Sequence, residues 1–175
     1  MVVNNKLSAK VKHLAIIMDG NARWAAEHNL SKAEGHKIGA NKIKNLLPDL
    51  IELGIPYVTL YTFSSENWQR SNTEVSSLLK LLSYYLKKEI ASLHENGVKI
   101  KIIGKFDRLS SLLQKQISNA IELTKNNNKI TLCIAFSYGS RTEIVDACQK
   151  IIDSGKSKIE EKDFKNFCEF TFGES

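Results

Sequence analysis

The stretch His13–Ala25, "HLAIIMDGNARWA", decides how this chain is read. An apolar run stops at Asp19, and Gly20, Asn21, Ala22, Arg23 and Trp24 follow without a spacer. Short, Ile-rich and closed by a glycine-containing turn, it reads as a β-strand that delivers a carboxylate and an arginine to one point. Three more runs of this kind follow, "YVTLYTF" (57–63), "VKIKIIG" (98–104) and "ITLCIAFSYG" (130–139). Helical stretches lie between and after them, at roughly 35–53, 73–96, 106–125 and 141–154. In "NTEVSSLLKLLSYYLKKEIASLHENG", Asn72 or Thr73 can cap the start, Glu74 falls in the first turn and Asn96-Gly97 closes the end. Strand and helix alternate four times, which predicts a single α/β domain with a mainly parallel central sheet flanked by helices. Residues 1–12 read as a flexible N-terminal segment and 13–175 as the domain. In such sheets the ligand site lies beyond the carboxyl ends of the strands, where Asp19 falls.

Bulk properties agree with an ordinary globular chain. At 175 residues, 42% hydrophobic and 25% charged, it is long enough to bury a core without disulfides or metals. Cys133, Cys148 and Cys168 are odd in number and form no CxxC pair, so they read as reduced thiols in a cytosolic protein. No apolar stretch approaches the roughly 20 residues that span a bilayer, and the N-terminus lacks the apolar segment of a secretory signal. The net charge of +6 points to anionic partners, but its lysines are dispersed and no nucleic-acid module is recognisable. Nucleic acid is therefore not expected as a partner.

Chemistry concentrates after the strands. Gly20 permits close backbone approach to a ligand, amides of residues 20–23 can face an anion if a helix starts near Trp24, and Arg23 offers a planar donor fork. "SKAEGHKIGA" adds Lys32, Gly35, His36 and Lys37 at the opening of a helix. Beside these cations Asp19 stays ionised and can hold a divalent metal; taken alone, it reads first as a helix cap with Arg23 as its surface ion pair. The second strand runs into "YTFSSENWQRSNTE", offering Ser64, Ser65, Glu66, Asn67, Trp68 and Arg70, with Trp68 either a core anchor or a ligand platform. The fourth ends in Tyr138, Gly139, Ser140 and Arg141, the last a candidate partner for Glu143 or Asp146. Two strand ends that each carry an arginine and acceptors suggest a diphosphate site. Neither a GxGxxG fingerprint nor a Walker loop is present. The helix after the second loop is apolar over a wide arc, from Val75 through Leu78, Leu82 and Tyr85 to Leu93, so it is either covered on two sides or lines an apolar cavity.

Together, "HLAIIMDGNARWA", "GHKIGA", "YTFSSENWQR" with Glu74 four residues on, and "SYGSRTEIV" resemble the cis-prenyltransferase family. The nearest type is bacterial undecaprenyl diphosphate synthase, an isoprenyl transferase. The likeness runs from about residue 12 to about 150, in family order. It implies extension of farnesyl diphosphate by isopentenyl diphosphate units, each adding a cis double bond, with Mg2+ required. The product would be a long, membrane-associated polyprenyl diphosphate for the lipid carrier of cell-wall sugars. The resemblance further implies a cytoplasmic enzyme, peripheral at the membrane, that works as a homodimer.

Carried over by motif, Asp19 is the metal-linked catalytic carboxylate, and Gly20, Asn21, Ala22, Arg23 and Trp24 form the allylic diphosphate loop. Lys32, where the family usually has arginine, and His36 complete the phosphate pocket. Ser64, Ser65, Glu66, Trp68 and Arg70 become substrate contacts, Asn67 the proton acceptor, and Ile130 a candidate for the floor of the tail tunnel. Departures from the pattern are Ser71 for a usual proline, and Cys133 and Ser137 for common asparagines. The family pattern continues with RTSGE-type and RxSNF segments and a further metal-binding glutamate, none of which is in this sequence. The expectation is thus a domain incomplete at its C-terminus, lacking the last strands and part of the isopentenyl diphosphate site. A non-catalytic family member that binds allylic diphosphate or serves as a subunit of a heteromer is the alternative, with a truncated gene product a third reading.

Overall fold

Four Ile- and Val-rich runs form one sheet in the computed structural model, which describes residues 11–168. The strands are β1 (His13–Ile17), β2 (Tyr57–Ser64), β3 (Val98–Ile103) and β4 (Ile130–Tyr138), in spatial order β1-β2-β4-β3. Every pairing is parallel, with Leu14 opposite Val58, Val58 opposite Leu132, and Leu132 opposite Ile100. The central strand β4 is almost continuously buried, as a parallel strand covered on both faces must be. On the edge strand β1, Ala15 and Ile17 are exposed. The first ten residues of the expected flexible segment lie outside the described residues.

The helices are α1 (Asn21–Glu27), α2 (Lys32–Glu52), α3 (Asn72–Lys88), α4 (Ile90–Glu95), α5 (Ser111–Thr124), α6 (Ser140–Asp153) and α7 (Glu161–Phe167). Several boundaries differ from the sequence reading for local reasons. Helix α2 begins at Lys32 because Ser31 and Glu34 form a reciprocal capping box. Ser71, rather than Asn72 or Thr73, caps α3 by accepting the Glu74 N–H. The single helix expected over 73–96 is two, divided at Glu89, whose carboxylate pairs with Lys44 of α2. Helix α5 starts only at Ser111, since Ser110 caps it and Phe106–Leu109 is a turn.

The main core lies between one sheet face and helices α2 to α5. Val58, Leu60, Phe63, Ile100, Ile130, Leu132 and Phe136 meet Leu47, Leu50, Leu86, Leu113 and Ile117 there. Thr124 is fully buried but satisfied, accepting the Ile100 N–H and donating to the Ala120 carbonyl. On the opposite face Ile103, Cys133, Ala135 and Tyr138 form a smaller cluster. Burial, partly offset by Lys101 and Thr59, pushes the Cys133 thiol up to about 11. Among the described residues no helix is long and apolar enough to cross a membrane.

Candidate active site

The carboxyl ends of β1, β2 and β4 converge on one edge. Beyond β1, Met18 donates its N–H to the Tyr61 carbonyl, and the chain turns at Gly20 with φ of 81°. A side chain is rarely tolerated in that left-handed region, so glycine is the residue this turn requires. The Gly20 N–H donates to Asp19 Oδ1 at 2.6 Å, and helix α1 starts at Asn21, earlier than expected. Arg23 lies 3.7 Å from Asp19 Oδ2, with both side chains about four-fifths exposed at 80% and 78%. Such a pair contributes little, so Asp19 is presented to solvent rather than spent on the fold.

Helix α1 is fixed by close approach to α2. A Cβ on Gly35 would stand 2.3 Å from the Asn21 carbonyl oxygen, and one on Gly39 2.4 Å from Asn21 Oδ1. Asn21 is therefore a packing residue that seats the Asp19 turn. Ala22 lies half-buried beside it, and Trp24 stacks on the His28 ring at 4.0 Å.

At the other side of the edge Glu74 gathers the cations. Its carboxylate accepts from Arg70 at 2.7 Å and from Lys32 at 3.4 Å, joining the starts of α2 and α3. Burial works to raise the Glu74 carboxyl, but the Arg70 and Lys32 contacts outweigh it and hold the group below its ordinary value. His36 is half-buried in the same cluster, and its Nε2 is buried without a hydrogen-bond partner. Desolvation lowers its pKa, opposed by Glu74 and reinforced by Arg70 and Lys32. An orphaned imidazole nitrogen among cations is what an anionic or hydroxylic ligand would satisfy.

The turn after β2, Ser65–Gln69, is bracketed by Asn67, whose Oδ1 accepts the Ser64 N–H. Ser65 and Glu66 are exposed, and a Cβ on Gly139 would stand 2.5 Å from Ser65 Oγ, so this turn and the β4 end touch. Trp68 is an anchor. Its indole N–H donates to Ser137 Oγ at 2.9 Å, and its ring meets Phe63 at 5.0 Å. Asp146 pairs with Lys105 and Glu143 accepts from Tyr138, so neither takes up Arg141 as expected.

Directly behind Met18 a cavity of about 160 Å³ opens between the sheet and helices α2 and α3. Leu78, Leu81, Leu82 and Tyr85 of α3 line it, while Val75 and Leu86 face the core, so the wide apolar arc of this helix serves both purposes. Ile130 is fully buried in the core and does not line the cavity; its neighbours on the same strand face, Leu132, Ile134 and Phe136, do.

The prenyltransferase family model described as undecaprenyl diphosphate synthase matches residues 17–172. The chain belongs to the undecaprenyl diphosphate synthase family. Its relatives are named isoprenyl transferases. It is 73% identical to that of Rickettsia felis over 158 residues, covering 90% of this chain and 67% of the relative. It is 47% identical to that of Fusobacterium nucleatum over 156 residues, 89% of this chain and 68% of the relative. The chain thus spans about two thirds of the length of these synthase-family relatives. Among solved structures, lavandulyl diphosphate synthase from Lavandula x intermedia, crystallised with dimethylallyl diphosphate, superposes with a TM-score of 0.84 at 30% identity. That match covers 90% of this chain and 70% of the lavender chain. A probable undecaprenyl diphosphate synthase from Campylobacter jejuni gives 0.76 at 27% identity, covering 91% and 69%. The parallel α/β sheet expected from the sequence is the fold of this synthase family, and the chain is a transferase of prenyl groups by family.

Within that frame, sequence reading missed three things. Glu74 is the organiser of the cation cluster, signalled only by the Arg70–Glu74 spacing of four. The Gly35–Gly39 spacing of four marks the seat of α1. Ser137 supplies the acceptor that holds Trp68.

Proposed function

We propose that the chain condenses isopentenyl diphosphate onto an allylic diphosphate, farnesyl diphosphate by preference, with cis double bonds, and builds a long polyprenyl diphosphate. The observation that carries this is the apolar cavity lined by Met18, the residue before Asp19, and by Ala40 and Leu78, each one helical turn beyond His36 and Glu74 of the cation cluster. A charged head and an apolar tail of one substrate would be served together. The dimethylallyl diphosphate in the lavender structure supports an allylic diphosphate as the ligand class.

In this reading Arg23, Lys32 and Arg70 bind the allylic diphosphate, with the Gly20–Trp24 turn close against it. His36 Nε2 gains the partner it lacks. The allylic C–O bond breaks, the electron pair leaves on diphosphate, and the cationic side chains stabilise that charge. The new carbon–carbon bond forms from the isopentenyl double bond, whose adjacent proton is then lost. Asn67 Oδ1 is proposed to guide that proton to the released diphosphate, the base that takes it up, with Ser64, Ser65, Glu66 and Trp68 about the second head. The cavity holds the tail, each buried methylene contributing about 0.8 kcal/mol.

Among the described residues no group of three or more His, Cys, Asp or Glu side chains is placed to cage a metal. A lone exposed carboxylate beside a diphosphate site nevertheless fits Mg2+, which keeps waters and is commonly held by one or two carboxylates plus substrate phosphates. Asp19 would hold it, and the ion would supply charge neutralisation of the leaving diphosphate. A homodimer, action in the cytoplasm next to a membrane, and a product for cell-wall lipid carriers complete the proposal.

Labelled isopentenyl diphosphate incubated with the protein, farnesyl diphosphate and Mg2+ tests it. Incorporation into butanol-extractable polyprenyl products is expected. Tight farnesyl diphosphate binding without incorporation would confine the function to the allylic half-site, and absence of both would overturn the reading.

A further inference from the structure

The connection from β3 to α5 leaves the same carboxyl edge of the sheet, and it places a guanidinium there. Arg108 Cζ lies over the Trp68 ring, 5.6 Å from its centre, within the range of a cation–π contact. The turn that carries Arg108 is firmly built. The Leu109 N–H donates to the Phe106 carbonyl at 2.9 Å, and the Gln114 side-chain amide donates to the Phe106 and Leu109 carbonyls, each at 2.9 Å. Leu109 is 5% exposed, which pins the turn to the core, while Arg108 itself stays exposed. The start of the connection is tied to the bend of β4 that holds Trp68. Lys105 donates its N–H to the Ser137 carbonyl at 3.3 Å, and a Cβ on Gly104 would stand 2.0 Å from the Phe136 carbonyl oxygen. Ser137 therefore takes the connection on its carbonyl and the indole on its hydroxyl. Trp68 meets this bend through its N–H and the guanidinium through its ring face.

Trp68 follows Asn67 directly, and the turn around them, Ser65–Gln69, carries groups proposed for the second diphosphate and its proton. Arg70, just beyond the turn, is held separately by Glu74 at 2.7 Å. Loosening Trp68 therefore loosens the second half of the site and leaves the first in place. An exposed cation–π contact is worth about a two- to fivefold equilibrium factor, enough to register in kinetics and too little to decide folding.

We infer that Arg108 is a positioning residue for the isopentenyl half of the site: stacked on Trp68, it keeps the turn that carries Asn67 seated against β4. This rests on the condensation proposed for the site. Arg108 acts through Trp68 and not on substrate.

The test is steady-state condensation of farnesyl and isopentenyl diphosphates in Mg2+ buffer, with farnesyl diphosphate binding followed by calorimetry. Wild type is compared with Arg108→Gln, Arg108→Lys, Trp68→Leu and the double variant Arg108→Gln with Trp68→Leu. Arg108→Gln is expected to lower kcat/KM for isopentenyl diphosphate about two- to fivefold and to leave farnesyl diphosphate affinity unchanged. Arg108→Lys, which keeps a cation over the ring, should restore most of the loss. In the double variant the Arg108 substitution should cost nothing beyond Trp68→Leu, the signature of one residue acting through the other. The substrate selectivity and the lysine rescue decide the matter even if Trp68→Leu does not fold. No loss in Arg108→Gln, an equal loss for both substrates, no rescue by lysine, or full additivity overturns the positioning role and leaves the condensation standing. Wild type that incorporates no isopentenyl diphosphate overturns the condensation, and the positioning role falls with it.

Discussion

Trp68 gives its indole N–H to the Ser137 hydroxyl at 2.9 Å, tying the turn after β2 to the last bend of β4. Ser137 holds a φ of 54°, a left-handed conformation unusual for a serine, so the bond is kept at a backbone cost. Ser137→Ala should destabilise the fold by about 1–2 kcal/mol, because it leaves the partly buried indole N–H unpaired. Ser137→Asn should cost less, since asparagine tolerates that conformation and retains an acceptor. Urea midpoints monitored by tryptophan fluorescence decide between the two outcomes.

Glu74 carries a carboxyl held below its ordinary value by Arg70 and Lys32. A carboxyl lowered on folding contributes stability above its unfolded value, and that contribution is lost as pH falls through the folded value. The stability gap between wild type and Glu74→Gln should therefore be full at neutral pH and close once pH drops below the usual carboxylate range. Thermal melts of both proteins across acid pH measure it; a gap independent of pH would refute the assignment.

His36 should be neutral in the free protein, since desolvation depresses it below 6.5. An anion next to Nε2 favours the charged form, so added pyrophosphate should shift its titration upward. Ring-proton NMR of His36 with and without pyrophosphate reads this directly.

Gly35→Ala and Gly39→Ala both push on Asn21, but not equally. The new methyl meets a backbone oxygen in the first case and a side-chain amide in the second. Gly35→Ala should cost the larger share of about 1–3 kcal/mol, because an amide can swing aside and a helix backbone cannot. Both should weaken diphosphate binding through the displaced Asp19 turn, and melting temperatures with binding titrations would rank them.

Asp19→Asn should leave stability within about 1 kcal/mol of wild type, as its ion pair with Arg23 is exposed. It should nevertheless abolish the gain in farnesyl diphosphate affinity on adding Mg2+. Retention of that gain would remove Asp19 as the metal-linked carboxylate.

Much of this architecture is legible in the sequence because it is local. Ile- and Val-rich runs that end in polar turns suffice for the four parallel strands, and strand-end logic suffices to place Asp19, Arg23, Ser64 and Arg70 at the carboxyl edge of the sheet. What escapes is tertiary. Glu74 looks like an ordinary first-turn carboxylate until α2 brings Lys32 against it. The helix over 73–96 looks continuous because its apolar period does not register Lys44 reaching Glu89 from another helix. Ser71 wins the cap over Asn72 and Thr73 through geometry that composition does not distinguish. Ile130 shares its strand face with the cavity-lining residues, and only three-dimensional packing puts it in the core instead.

Cys133 sits at the middle of β4, paired on one side to β2 and on the other to β3, with no exposed surface and a thiol raised to about 11. Thiolate is the reactive form, so an alkylating reagent meets almost none of it in the closed sheet. The exposed Cys148 will take label at once. Cys133 then acts as a timer for the innermost strand, since its alkylation rate counts how often the sheet opens and how far ligand slows that opening.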